Sequence, residues 1–256
     1  MSLFFIEAGT NHFGIEDEAN KILNFFLKSD FSNLTFMIQS ESFYMEHKRK
    51  GIDFRLKKDF YIRALNKCRK KKKKLGIAVC SEETFKEFSD LRFDFYKLLS
   101  LAINNFKLID LLKKKNKPIF ISTGHKASEY NIKKCLSQFQ DKKNITLLHA
   151  PMTYTPEELN LNRVNEIKKK YKLKTGYSNH NNDKNNIYLL SAYKPDAIFL
   201  YCKQKKKKGR VYPDHGHAFY FNELEEIKNK YLDYDLMHKK IKKIKKVKIF
   251  TNDFKI

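Results

Sequence analysis

The chain has 256 residues, the typical length of one closed α/β barrel, and 41% of them are hydrophobic, which is enough for a full core. Its formal net charge of +24 comes from lysines spread along the whole chain without a nucleic-acid-binding motif, so a solvated lysine surface is expected and a nucleic-acid partner is not. No stretch approaches the ~20 uninterrupted apolar residues of a membrane span, and the first residues lack the basic flank of a signal peptide, so no membrane partner is expected.

The cysteines indicate the compartment in which the chain works. None of the four lies in a CxxC pair or in a spacing typical of zinc sites, which predicts reduced thiols in a cytoplasmic protein. They are Cys68, Cys80, Cys135 and Cys202.

Short apolar runs alternate with longer stretches of helical spacing along the chain. Buried strands are predicted over residues 4–6, 34–38, 76–80, 95–99, 118–121, 145–148, 174–177 and 197–201. Helices are predicted over residues 15–28, 59–73, 83–90, 105–115, 128–139, 157–171, 182–193 and 222–246, with a long loop over residues 46–56. Eight strands that alternate with helices favour a parallel sheet closed into a single (β/α)8 TIM barrel over residues 1–238, followed by a lysine-rich tail over residues 239–256.

Polar residues follow nearly every predicted strand. In a barrel of this kind the reactive groups come from the carboxyl ends of the strands and the loops just beyond them. Any one of these residues alone is more often a strand cap or a turn residue, but their recurrence at one end of the barrel favours a functional site. They are Glu7, Asn11, His12, Gln39, Ser81, Lys97, Ser100, Ser122, His149, Tyr154, Ser178, His180, Asp214 and His215.

Six short motifs contain these residues. They are Glu-Ala-Gly-Thr-Asn-His-Phe-Gly at 7–14, Tyr-Lys-Leu-Leu-Ser at 96–100, Ile-Ser-Thr-Gly at 121–124, Leu-Leu-His at 147–149 before Tyr-Thr-Pro at 154–156, Gly-Tyr-Ser-Asn-His at 176–180 and Pro-Asp-His at 213–215. In this order they resemble the N-terminal barrel of the sialic acid (N-acetylneuraminate) and related nonulosonic acid synthases, over about residues 3–228.

The resemblance implies a reaction. The family condenses phosphoenolpyruvate with an N-acetylated sugar aldehyde, which gives a nine-carbon 2-keto acid and phosphate in carbohydrate biosynthesis. A divalent metal, Mn²⁺ or Mg²⁺, would polarise the aldehyde oxygen for attack by C3 of phosphoenolpyruvate. Phosphoenolpyruvate and the sugar are therefore the expected partners, and a homodimer is compatible with the resemblance.

Position by position, the resemblance also assigns roles to residues of this chain. Glu7 is the expected catalytic carboxylate, and His180 is an expected metal ligand for which His215, or alternatively His217, would supply the second imidazole. The remaining roles are the binding of phosphoenolpyruvate by Lys97, Ser100, Ser122 and Ser178, the binding of the sugar by Gln39, Tyr154 and Asp214, and the shaping of the site by Asn11, His12 and His149.

Two assignments stay open at this point. Lys97 is either an anion site or an inward lysine paired with Glu7, and His180 is either a metal ligand or a solvent-exposed loop residue. His47 and His238 lie outside the motifs and are predicted as surface residues.

The sequence departs from the family at several positions of the site. Met37 stands in place of a phosphate-binding lysine, Met152 in place of an asparagine, and Asn179 in place of an aspartate. On the eighth strand Phe199 replaces a sugar-binding carboxylate, and Tyr201 replaces the second metal-binding histidine. These changes alter the charge of the site that the resemblance implies.

The departures leave alternatives to a synthase. The family usually carries a small C-terminal domain that resembles antifreeze protein, which the lysine-rich tail is not expected to contain. A second hypothesis is a catalytically degenerate barrel that binds a sugar or phosphate metabolite or a partner synthase. A third is a barrel lyase that cleaves its substrate without release of phosphate.

Overall fold

The fold is an eight-stranded parallel barrel surrounded by helices. The computed structural model describes residues 2–124, 127–205 and 211–238. In these ranges the strands are β1 (Leu3–Glu7), β2 (Asn33–Ile38), β3 (Lys74–Val79), β4 (Tyr96–Leu98), β5 (Ile119–Thr123), β6 (Ile145–His149), β7 (Lys174–Ser178), β8 (Ala197–Lys203) and β9 (Phe219–Tyr220). The helices are α1 (Glu16–Lys28), α2 (Glu41–Arg49), α3 (Lys58–Lys70), α4 (Glu82–Glu87), α5 (Phe106–Lys113), α6 (Glu129–Leu136), α7 (Pro156–Leu159), α8 (Arg163–Tyr171), α9 (Lys184–Leu189) and α10 (Phe221–Met237), with 3₁₀ turns at Ser100–Ala102 and Leu190–Tyr193.

Hydrogen bonding between strands closes the barrel. Each of the first eight strands pairs in parallel with the next, and β8 pairs with β1 from Leu3 opposite Ala197 to Glu7 opposite Tyr201. The short β9 continues the sheet at the carboxyl end of β8. This arrangement confirms the predicted single (β/α)8 TIM barrel. In the described ranges, no helix is both long enough and apolar enough to cross a membrane.

The first helix illustrates how the outer ring is held against the barrel. Ile22, Leu23 and Phe26 lie on one stripe of α1 and are buried against the sheet, as an amphipathic helix requires. Lys73 then satisfies carbonyl groups at the end of this helix and beyond it, since its Nζ donates to the oxygens of Phe26 at 2.6 Å and Phe31 at 2.8 Å. One lysine therefore ties α1 to the start of β3.

The loop predicted over residues 46–56 was wrong for its first residues. These belong to α2, which begins after Ser40, whose Oγ accepts a hydrogen bond from the Phe43 amide at 3.3 Å. The helix buries only Tyr44, so it has no apolar stripe that sequence periodicity could reveal.

Two predicted helices are interrupted, and a third lies only partly within the described residues. Asn160 adopts a left-handed conformation with φ +40° and divides the predicted helix 157–171 into α7 and α8. The predicted helix 182–193 becomes a 3₁₀ turn from Leu190 onward. The predicted helix 222–246 is confirmed as far as Met237, whereas its last residues and the predicted tail 239–256 lie outside the described residues.

Aromatic rings fill the barrel near the amino ends of its strands. Phe5 stacks on Phe199 with ring centroids 4.2 Å apart, and Phe95 and Phe120 meet Phe5 edge-on at 5.0 and 4.8 Å. Gly76 makes room for this layer, because a Cβ atom there would lie 2.4 Å from the Phe95 ring. The barrel axis is thus packed with aromatic side chains directly beneath the layer that carries the polar site.

Candidate functional site

A charged layer lies above the aromatic layer. Glu7 follows Phe5 by two residues on β1 and Lys97 follows Phe95 by two residues on β4, so strand alternation turns both side chains inward. Lys97 Nζ donates to both carboxylate oxygens of Glu7 at 2.6 Å and to Ser178 Oγ at 3.0 Å. Lys97 is 1% exposed and Glu7 0%, so this ion pair has no solvent around it.

Burial opposes the charge of both partners. It raises the pKa of Glu7 and lowers the pKa of Lys97, while their mutual attraction acts against the burial effect on each group. Lys97 Nζ also lies 4.8 Å from the centroid of the Phe199 ring, whose face attracts a cation. The structure shows Lys97 paired with Glu7, and an anion site at Lys97 stays a prediction.

A cavity of about 360 Å³ opens above Lys97 at the carboxyl ends of the strands. Six of the predicted site residues line it: Gln39, Lys97, Ser100, Ser122, His180 and Asp214. Glu7 and Ser178 contact the ammonium group of Lys97 from within the barrel. Tyr154 and His215 lie beside the cavity outside its lining.

The polar groups of the cavity wall differ in how firmly they are held. Ser122 Oγ is buried and makes no hydrogen bond to the described residues. Gln39 Nε2 lies 2.9 Å from Met37 Sδ, and its Oε1 accepts from Cys80 Sγ at 3.6 Å. The Ser122 hydroxyl has no hydrogen bond to give up, and the Gln39 amide contacts sulfur atoms, which make weak hydrogen bonds. Both side chains can therefore turn their polar atoms to a ligand at small cost.

The loops after β1 and β8 are locked together beside the cavity. Asn11 Nδ2 donates to the Cys202 carbonyl at 2.8 Å, and Asn11 Oδ1 accepts from the Asp214 amide at 3.0 Å. Asp214 Oδ2 in turn accepts from the Thr10 amide at 3.3 Å. Asn11 therefore holds the loop that presents Asp214, which is the arrangement expected of a residue that shapes the site.

His12 and His149 also hold loops rather than face the cavity. His12 Nδ1 accepts from the Gly14 amide at 2.9 Å, and His149 Nε2 lies 2.8 Å from the Leu159 carbonyl oxygen. Burial lowers the pKa of His12 to about 3 and lowers the pKa of His149. Both rings are thus neutral at physiological pH and act as fixed hydrogen-bonding groups.

An aromatic wall that sequence reasoning missed faces the cavity from α2 and the loop after it. Phe43, His47 and Phe54 all contribute to the lining. The His47 ring stacks on Phe43 with centroids 4.0 Å apart, and its Nδ1 lies 2.9 Å from the Phe43 carbonyl oxygen. His47, predicted as a surface residue, is half-buried and lines the cavity. The cap at Ser40 was the one signal that could have placed a helix here.

One of the two histidines expected to pair with His180 lies beside it. His180 lines the cavity with a buried, unbonded Nδ1, and the imidazole beside it is that of His217, with ring centroids 5.3 Å apart. Burial, and then the nearby positive charge of Lys97, lowers the pKa of His180 well below its ordinary value. His217 Nε2 lies 3.5 Å from Asp214 Oδ1, whereas His215 lies outside the cavity lining.

The donors present do not fit the divalent metal that the resemblance implies. No group of three or more His, Cys, Asp or Glu side chains suited to a metal ion occurs within residues 2–124, 127–205 and 211–238. The ring of Tyr201 packs against both candidate ligands, 5.4 Å from the His180 ring and 4.6 Å from the His217 ring.

Sequence comparisons match the chain to the NeuB family and to relatives that are named as synthases. A family model described as the NeuB family matches residues 26–243. N,N'-diacetyllegionaminic acid synthase of Campylobacter jejuni is 27% identical over 203 residues, which cover 70% of this chain and 60% of that protein. A pseudaminic acid synthase of the same species is 33% identical over 95 residues, which cover 35% of this chain and 27% of that protein. The chain thus spans less than two thirds of these curated relatives.

Solved structures share the fold at lower identity. The N-acetylneuraminic acid synthetase of Leptospira borgpetersenii, in complex with citrate, has 20% identity and a TM-score of 0.82 over 97% of this chain and 88% of that chain. The spore coat polysaccharide biosynthesis protein spsE of Bacillus subtilis has 18% identity and a TM-score of 0.78 over 92% of this chain and 68% of that chain.

Proposed function

Because the chain belongs to the NeuB family, we propose that it is a phosphoenolpyruvate-dependent transferase of carbohydrate biosynthesis. C3 of phosphoenolpyruvate attacks the aldehyde carbon of an N-acetylated sugar, water adds at C2, and the bond between C2 and the phosphate oxygen breaks. The products are a 2-keto nonulosonic acid and inorganic phosphate. The relatives named as pseudaminic and N,N'-diacetyllegionaminic acid synthases support this class of reaction and do not favour a degenerate barrel.

The observation that carries the proposal is the buried charged layer. Taking a lysine and a glutamate out of water inside a barrel costs several kcal/mol per ion, and apolar side chains of similar volume would fill the same space without that cost. Glu7 and Lys97 lie where barrel enzymes place their reactive groups, at the carboxyl ends of the strands. A function at this site explains why the layer is charged.

The anionic substrate is assigned to the serine side of the cavity. Lys97 is the one lysine or arginine among the described residues that line the cavity. Ser100 and Ser122 line the same cavity, and Ser178 contacts Lys97 at 3.0 Å. Hydroxyl and ammonium donors of this kind bind phosphate and carboxylate oxygens through charge-assisted hydrogen bonds. We assign phosphoenolpyruvate to these four residues.

The sugar is assigned to the opposite side and the rim. Gln39 and Asp214 offer an amide and a carboxylate to its hydroxyl and acetamido groups, and Tyr154, whose hydroxyl lies against Gly216, extends this side outward. Glu7 is the group that accepts the proton of the attacking water, a task for which burial, by raising its pKa, makes it a better base.

Phosphate release tests the proposal. The purified chain is incubated with phosphoenolpyruvate and a panel of N-acetylated sugars, and inorganic phosphate and 2-keto acid are measured separately. We expect both products in equal amounts, only when both substrates are present, and loss of both in Lys97→Ala. The matched control is Lys143→Ala, an exposed lysine at the amino ends of the strands, which should keep the full rate.

Calorimetric titration with phosphoenolpyruvate alone removes the dependence on the acceptor. Binding that is lost in Lys97→Ala and kept in Lys143→Ala supports the assigned anion site. Absence of both binding and phosphate release would overturn the proposed function in favour of the degenerate barrel.

A further inference from the structure

Tyr201 lies beside the candidate metal ligands. It is 3% exposed, lines the cavity, and stands opposite Glu7 on the neighbouring strand. Its ring meets the His217 ring edge-on at 4.6 Å and the His180 ring at 5.4 Å. The aromatic ring of a third residue is therefore packed against both imidazoles.

Two imidazoles and one carboxylate lie near Tyr201. His180 Nδ1 is buried without a hydrogen bond, and His217 Nε2 lies 3.5 Å from Asp214 Oδ1. Two imidazoles and one carboxylate are ligands that divalent first-row metals accept. With metal–nitrogen distances of about 2.1 Å, two imidazoles on one ion have centroids roughly 5 Å apart, close to the 5.3 Å between His180 and His217.

A phenol does not complete this set. Its hydroxyl is neutral near pH 7 because its ordinary pKa is about 10, and a neutral phenol is a poor ligand for Mg²⁺ or Mn²⁺. It is, however, a hydrogen-bond donor to an oxygen on which negative charge develops. The replacement of a ligand by Tyr201 thus removes a metal-binding group and adds a donor at the same place.

We propose that Tyr201, packed against both imidazoles, excludes a cation from His180, His217 and Asp214, so that this barrel works without a resident divalent metal. Enzymes of the NeuB family generally depend on a metal, and this chain departs from them at this residue. The second part of the proposal rests on the proposed function. The Tyr201 hydroxyl donates a hydrogen bond to the aldehyde oxygen of the sugar and supplies the polarisation that a metal would give.

Binding of Mn²⁺ alone to the full chain tests the first part without any turnover. Free Mn²⁺ is measured by electron paramagnetic resonance as protein is added. We expect no stoichiometric binding to the native chain or to the matched control Tyr201→Phe, and one Mn²⁺ per chain for Tyr201→His. The double variant Tyr201→His/His180→Ala should lose this binding. Circular dichroism verifies that each variant folds.

Two results would overturn the first part. One is stoichiometric Mn²⁺ binding by the native chain that disappears in His180→Ala, a result that needs no variant of Tyr201 to fold. The other is a folded Tyr201→His chain that binds no Mn²⁺, since the ring would then not be what keeps the cation out.

Turnover tests the second part. Dialysis against EDTA should leave the rate of phosphate release unchanged, and Tyr201→Phe should lower kcat about 100-fold with little change in the KM for phosphoenolpyruvate. A rate that EDTA abolishes and Mn²⁺ restores would refute the metal-free reaction, and an unchanged kcat in Tyr201→Phe would refute the role of the hydroxyl. Because Mn²⁺ binding is measured without substrate, a failure of the proposed function is distinguished from a failure of the metal-site inference.

Discussion

Removal of the Lys97 ammonium should destabilise the barrel strongly and in a pH-dependent way. In Lys97→Met the carboxylate of Glu7, 0% exposed and otherwise bonded at 2.6 Å by both oxygens, loses its counter-ion. Breaking a buried pair in this manner costs about 3–5 kcal/mol of unfolding free energy. The second change Glu7→Gln removes the unpaired charge, so the double variant should recover most of this loss.

The pH dependence follows from the protonation of Glu7 in the variant. Without Lys97 to oppose the effect of burial, the folded-state pKa of Glu7 rises further above its unfolded value. The folded variant then binds more protons than the unfolded chain above the ordinary glutamate pKa, so its stability falls as pH rises. The penalty of Lys97→Met should be larger at pH 8 than at pH 5.5.

Urea unfolding followed by circular dichroism at the two pH values measures both effects for the native chain, the two single variants and the double variant. Lys143→Met, an exposed lysine, serves as the control and should change the stability little. A loss below about 1 kcal/mol in Lys97→Met at pH 8, or a double variant no more stable than Lys97→Met, would refute the buried charge pair.

Three further predictions concern groups around the site. The pKa of His12 is lowered from 6.5 to about 3, so the unfolded chain binds the additional proton and the stability falls as pH drops through this window. His12→Asn should reduce the pH dependence of the unfolding free energy by up to about 1.4 kcal/mol per pH unit in urea titrations, and an unchanged slope would contradict this prediction. Lys73→Met leaves helix-end carbonyls without their donor and should lower the unfolding free energy by about 1–3 kcal/mol, measured by urea titration beside the exposed control Lys143→Met. Gly76→Ala brings a Cβ to 2.4 Å from the Phe95 ring and should cost about 1–3 kcal/mol, with partial recovery when Phe95→Leu is added; a neutral Gly76→Ala would refute the close packing of this layer.

Sequence periodicity was sufficient for the barrel because its strands are buried on both faces. Each predicted strand overlaps an observed one, since a continuous apolar run bounded by polar residues stands out against amphipathic helices. The short helix α2 escaped the same reasoning, because Tyr44 is its single buried residue. The aromatic wall was missed together with α2, because no predicted element turned Phe43 and His47 toward the cavity.

The site shows a second limit of sequence reasoning. Motif order predicted the residues at the mouth of the barrel, but the pairing of Lys97 with Glu7 joins residues 90 positions apart in the chain and becomes visible only when the strands are in register. The choice between His215 and His217 depended on the path of the loop after β8, which the spacing of two residues does not fix. The assigned substrate roles remain predictions.

The aromatic layer beneath Lys97 also determines how molecules enter and leave the cavity. Phe5, Phe95, Phe120 and Phe199 pack the described barrel across its axis, so the cavity is a blind well with its opening at the carboxyl ends. A reaction of two substrates in such a cavity requires ordered binding. The substrate that binds at the floor enters first, and the second substrate then separates it from solvent. The products leave in the reverse order, so the product that is bound deepest leaves last. Under the proposed function, a bulky acceptor sugar that binds first would block entry of phosphoenolpyruvate. An excess of the acceptor over phosphoenolpyruvate should therefore inhibit the reaction.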